Sequence, residues 1–113
     1  MSRRIEEGWE TPNFMVEAVN RLAFPERETP TGDKERVRII IRKVTLTCKR
    51  SGRAFWFSGQ RRQGVLTFGD SRYSEKDSGT ILRPRYNALQ LRAELARMVG
   101  GEIADRAVGI ATL

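Results

Sequence analysis

The stretch from Arg36 to Cys48 constrains the fold more than any other part of the chain. β-Branched residues dominate it, and apolar side chains alternate with polar ones, the pattern of a strand with one covered face. The apolar positions are odd at first (Val37, Ile39, Ile41) and even afterwards (Val44, Leu46, Cys48). Strand side chains repeat every two residues, so this change of phase predicts a β-bulge near Arg42 and Lys43. It also reads Cys48 as a small buried hydrophobe. Lys49, Arg50, Ser51 and Gly52 supply a hairpin turn, Arg53 to Ser58 a second strand, and Val65 to Phe68 a third after a tight Gly59–Gly64 connection. Residues 69–79 read as a polar loop and Thr80 to Arg83 as a candidate fourth strand.

Helical patterns flank this β region. Thr11 followed by Pro12 has the chemistry of an N-cap and a first helical residue, and Phe14, Ala18 and Leu22 fall at helical spacing behind it. The spacing predicts an amphipathic helix over 12–23, ending before Pro25. A second helix is expected from Tyr86 to about Val99, stopped by Gly100 and Gly101. Its apolar face is wide, with Arg92 set among the apolar residues, which points to cover by the tail or by a second copy in a homodimer. The tail from Glu102 fits either helix or strand. The expected architecture is therefore α+β: an N-terminal helix, an antiparallel sheet of three to four strands, and a C-terminal helix packed on the sheet. Residues 1–11 read as an N-terminal arm whose Trp9 packs back on the domain, and 12–113 as the domain itself.

Composition narrows the chemistry. The chain has 113 residues, no His and one Cys. Without His there is no Ser-His-Asp or Cys-His arrangement and no His metal ligand, so the expectation is a non-enzymatic protein with no catalytic residue, metal or cofactor. A carboxylate-dependent nuclease holding a metal on Asp70, Glu75 and Asp77 stays open as an alternative. One Cys forms no intramolecular disulfide, and no apolar run reaches membrane-spanning length, so a cytoplasmic protein without membrane contact is expected.

The formal net charge is +7, and residues 34–85 hold 14 of the 21 Lys and Arg but only 4 of the 14 Asp and Glu. A basic centre between mildly acidic ends is the electrostatic footprint of a nucleic-acid binder or of a module that docks on an acidic protein. Lys49, Arg50, Arg53, Trp56, Arg61 and Arg62 are the candidate nucleic-acid-binding residues: cations for phosphates and one ring for a base. Phe55 and Phe57 share a strand face and are expected in the core, leaving Trp56 on the other side. The two basic turns belong at opposite ends of a strand, where a long polyanion reaches both. A sheet followed by a helix over about residues 36–99 is similar in arrangement to Whirly-type and PUR-type single-strand binders. That resemblance lies in element order, without a shared motif. Single-stranded nucleic acid is the favoured partner; the alternative is a small regulator or inhibitor of the phage or plasmid type, docking its basic face on an acidic partner.

Overall fold

The computed structural model describes residues 4–72 and 84–113. Among the described residues eight strands precede two helices: β1 (Arg4–Glu10), β2 (Phe14–Ala23), β3 (Glu26–Glu28), β4 (Lys34–Arg36), β5 (Ile39–Cys48), β6 (Ala54–Arg62), β7 (Val65–Asp70), β8 (Arg85–Tyr86), α1 (Ala88–Val99) and α2 (Gly101–Ala111). Six strands form one antiparallel sheet in the order β1-β2-β5-β6-β7-β8, and β3 pairs with β4. The class is α+β, but the layout departs from the expected one. The sheet is larger, the N-terminal helix is absent, and two helices follow it. The candidate strand at 80–83 lies outside the described residues.

The segment expected as a helix is β2, and its sequence shows why both readings fit. Phe14, Ala18 and Leu22 are four apart, which keeps them on one face in a helix and also in a strand. Val16 distinguishes the two: it is buried with Ala18, as a period of two requires and a period of 3.6 forbids. The Thr11 cap is also ambiguous. Its Oγ1 accepts the Phe14 N–H at 2.9 Å, the bond an N-cap makes to N3. Here the Thr11 N–H also donates to the Phe14 carbonyl at 2.8 Å, which closes a hairpin turn instead. The N-terminal segment, expected as an arm, runs along β2 as edge strand β1, from Arg4 opposite Arg21 to Glu10 opposite Met15.

The predicted bulge is not there. Pairing of β2 with β5 runs unbroken from Phe14↔Cys48 to Ala23↔Ile39, and β3–β4 continue the same register to Glu28↔Lys34. The phase change in the sequence reports a change of cover. Val44 and Leu46 face the helices and are fully buried, whereas Ile39 lies on the opposite face and Ile40 beyond the helices' reach, both exposed. The β3–β4 ribbon beyond them is balanced in charge, with Arg27 on Glu35 at 2.8 Å and Arg36 near Glu26 at 3.8 Å.

Both helices pack on one face of the sheet. There Val16, Ala18, Val44, Leu46, Phe57 and Phe68 meet Leu91 and Leu95 of α1 and Ala104, Ala107, Val108, Ile110 and Ala111 of α2. Asn87 caps α1 with a reciprocal bond to Gln90, and Gly100 ends it at φ 88°, a left-handed conformation that favours glycine. The tail is thus helix, and it supplies the second cover that the wide face of α1 called for. Arg92, the cation among those apolar residues, bridges to Asp105 of α2 at 3.1 Å. Among the described residues no helix is long and apolar enough to cross a membrane.

Candidate nucleic-acid interface

Among the described residues the other face of the sheet carries no helix. Strand register sets out its side chains in rows that only the paired structure reveals. One row runs Val19↔Lys43↔Ser58↔Gly69↔Arg85, across five strands. Two cations thus stand three strand spacings apart, about 14 Å at the backbone, with the two small residues Ser58 and Gly69 between them. Gly69 is part of the site: a Cβ there would come to 3.3 Å of an Arg85 guanidinium nitrogen, so the Arg85 side chain lies across β7.

Trp56 occupies the neighbouring row, opposite Thr45. Its backbone is fastened to Ser71, whose Oγ accepts the Trp56 N–H at 2.8 Å and whose own N–H donates to the Trp56 carbonyl at 3.0 Å. Ala54, Thr45, Ser58 and Ser71 are all small, so the ring stands 43 % exposed, with the Lys43 ammonium 5.8 Å from its centroid. Phe57, one residue on, is fully buried and Phe55 half-buried, in agreement with the expected alternation.

Charge divides this open face. Its β5–β8 side displays Lys43, Arg62 and Arg85 and, among the described residues, no carboxylate. Its β1–β2 side displays Glu6, Glu10 and Glu17, with Arg21 3.7 Å from Glu6 and Lys49 of the β5 end paired to Glu10.

The six residues expected to bind fall into three groups. Trp56 and Arg62 lie on the open face. Arg61 points to the opposite side of β6, at the end the helices leave uncovered. Lys49, Arg50 and Arg53 sit in the β5–β6 turn, at the far end of β6, about 26 Å away by strand rise. Lys49 is already committed to Glu10, and their hydrogen bond holds the Glu10 carboxyl below its ordinary pKa. Arg50 and Arg53 are exposed. Trp56 and Arg62 thus share the open face but stand about 20 Å apart by strand rise, with Trp56 nearer to the turn cations than to Arg62.

Lys43 and Arg85 escaped the sequence reading. Lys43 was absorbed into the supposed bulge and Arg85 into the start of a helix, and neither has a local signal. They become neighbours of Ser58 and Gly69 only through register.

Cys48 and Asp70 also depart from the expected picture. Cys48 is half-buried at the rim of the sheet, where hydrogen bonds from Ser51 push its thiol down from the ordinary value. Asp70 is not a loop carboxylate but a fully buried one at the end of β7. Its Oδ1 accepts the Arg72 backbone N–H at 2.9 Å, and its Oδ2 accepts two guanidinium bonds at 2.8 and 2.5 Å. Arg72 also reaches Glu94 of α1 at 3.1 Å and lies 5.4 and 5.6 Å from the Phe55 and Phe57 ring centroids. Its pKa is pushed up, chiefly by the Asp70 bond. The group ties sheet to helix, and its two carboxylate oxygens are taken. Glu75 and Asp77, the other carboxylates considered for a metal, lie outside the described residues.

Comparison with protein-family models, with curated proteins and with solved structures gives no match. The functional reading therefore rests on this surface alone.

Proposed function

We propose that this chain is a non-enzymatic nucleic-acid-binding accessory protein that lays a single strand on the open face of β5–β8. The observation that carries the reading is the Lys43–Ser58–Gly69–Arg85 row beside the uncovered Trp56 ring. Single-strand binders need cations for phosphates and an aromatic face for bases, on a surface shallow enough to admit both. Ser58 is small, Gly69 lets the Arg85 side chain lie low across β7, and the small neighbours of Trp56 leave it part-exposed beside the Lys43 ammonium. The carboxylates of β1–β2, two of them paired with Arg21 and Lys49, make that side less favourable to a phosphate backbone than the cationic side.

The reading is tested by titrating a labelled single-stranded oligonucleotide at several salt concentrations. Trp56→Ala is expected to weaken binding by about 1–3 kcal/mol, roughly 5- to 150-fold, and to leave the salt dependence unchanged because stacking releases no counterions. Lys43→Ala with Arg85→Ala should instead flatten the log–log salt slope by about 0.7 for each lost contact. A wild-type protein that shows no salt-sensitive binding to any single strand overturns the reading, and docking on an acidic protein surface then takes its place.

A further inference from the structure

Strands β5 and β6 part company half-way along. Their pairing runs from Thr47↔Ala54 to Lys43↔Ser58 and stops there. Beyond that point β5 stays with β2 and β6 with β7. The sheet is therefore split by a V-shaped notch, and the β6-facing edge of 39–42 and the β5-facing edge of 59–62 have no strand partner on that side among the described residues. The notch has a volume of about 470 Å³ and is lined by Arg38, Ile39, Ile40, Arg42, Gly59, Gln60, Arg61 and Arg62. Four of these eight are arginines and none is a carboxylate. Arg38 and Arg62 make no ion pair among the described residues.

The notch is closed at its root. A Cβ on Gly59 would come to 2.8 Å of the Phe68 ring and 2.9 Å of the Arg42 Cβ, so β6 presses against Arg42 there with nothing between. On the helix side Arg42 donates to the carbonyls of Ala111 at 3.0 Å and Leu113 at 2.7 Å, and Asn20 donates to the latter at 2.9 Å. These bonds fix Arg42 as a wall. Arg61 stands near enough to repel it, and burial and that repulsion together lower the Arg42 pKa. Four arginines along one notch with no carboxylate side chain among its lining residues carry an electrostatic cost, which a bound anion lowers.

The geometry points to this notch as the binding site for the terminal phosphate of a nucleic-acid strand, held by Arg38 from one lip and Arg61 and Arg62 from the other. Shape and charge both favour an end over a continuous backbone. A notch that narrows to a closed root suits a terminal group better than a strand passing across it. A backbone diester brings one negative charge, whereas a terminal monoester brings about −1.5 to −2 near pH 7 and three oxygens for bidentate guanidinium contacts. Arg62 lies both in the notch and on the open face, so a strand anchored here runs on toward Ser58 and Trp56. The assignment deepens the single-strand reading and rests on it.

The experiment compares one oligonucleotide sequence in three forms: 5′-phosphorylated, 3′-phosphorylated and hydroxyl at both ends. Wild-type protein should bind one phosphorylated form at least tenfold more tightly than the hydroxyl form. Arg61→Gln with Arg62→Gln should abolish the preference, while Arg50→Gln with Arg53→Gln, at the far end of β6, should keep it. The preference should grow as pH rises through about 6, where the phosphate loses its second proton and the arginines stay charged. Equal affinity for all three forms overturns the assignment and leaves the single-strand reading standing. If no oligonucleotide binds, that reading fails by itself, and inorganic phosphate at constant ionic strength decides the notch. A rise in melting temperature that the Arg61→Gln, Arg62→Gln variant loses supports it; no rise, or one the variant keeps, overturns it.

Discussion

Strand β6 places three aromatic residues in succession, and its two faces treat them oppositely. Phe57 has no exposed surface; its ring meets Tyr86 edge-on at 5.8 Å, and Phe55 at 6.1 Å. Trp56 is 43 % exposed, with Thr45 opposite it and the Lys43 ammonium over its ring. The difference does not come from hydrophobicity, since both rings are large and apolar. It comes from which face the two helices cover. A face that is covered is used for stability, and a face left open with its ring exposed is available to a ligand.

The sharpest way to break that contrast is to truncate each ring in turn. Phe57→Ala should cost about 3–5 kcal/mol of folding stability, because it leaves a cavity between the sheet and α1. Chemical denaturation of the purified variant measures it, and a loss below about 1 kcal/mol would show that the covered face is not the core. Trp56→Ala should lower stability by no more than about 0.5 kcal/mol, the usual range for surface substitutions. A loss comparable to that of Phe57→Ala would mean that Trp56 is covered in solution, by a second copy or otherwise, and so is not free to stack on a base.

The smallest effect belongs to the ion pairs of the open face. The Lys49 hydrogen bond holds the Glu10 carboxyl below its ordinary pKa. A depressed carboxylate stabilises the fold above its unfolded pKa, and that contribution disappears as pH falls through the lower folded value. Glu10 is fully exposed to solvent, so screening leaves little of it. The melting temperature of Glu10→Gln should therefore match that of wild type at pH 7, and the two should converge further below pH 4. A clear drop at pH 7 would show that the acidic half of the open face is also structural, and would blur the division between the two faces.

Much of the chain was legible because its signals are local. The alternation of Phe55, Trp56 and Phe57 needs only a period of two, and the Gly100 stop of α1 needs only a positive φ. Where local chemistry admitted two solutions, the tertiary structure chose. Phe14, Ala18 and Leu22 suit helix and strand equally, and Thr11 makes the same hydrogen bond at the start of either. The pattern in β2 became a strand because β1 on one side and β5 on the other complete its backbone hydrogen bonds, which no helix in that position could supply.

The same division holds for the candidate site. The amino-acid order alone determined that the centre of the chain is basic, that no histidine chemistry is available, and that Trp56 faces away from Phe55 and Phe57. It left undetermined which cations stand beside that ring. Lys43 and Arg85 are 42 positions apart and meet in one row because four strand pairings align Val19, Lys43, Ser58, Gly69 and Arg85. Arg38 and Arg62 line one notch because β5 and β6 separate beyond Lys43 and Ser58. Register and splaying belong to pairs of strands, and a pair of strands is defined only once the chain has folded.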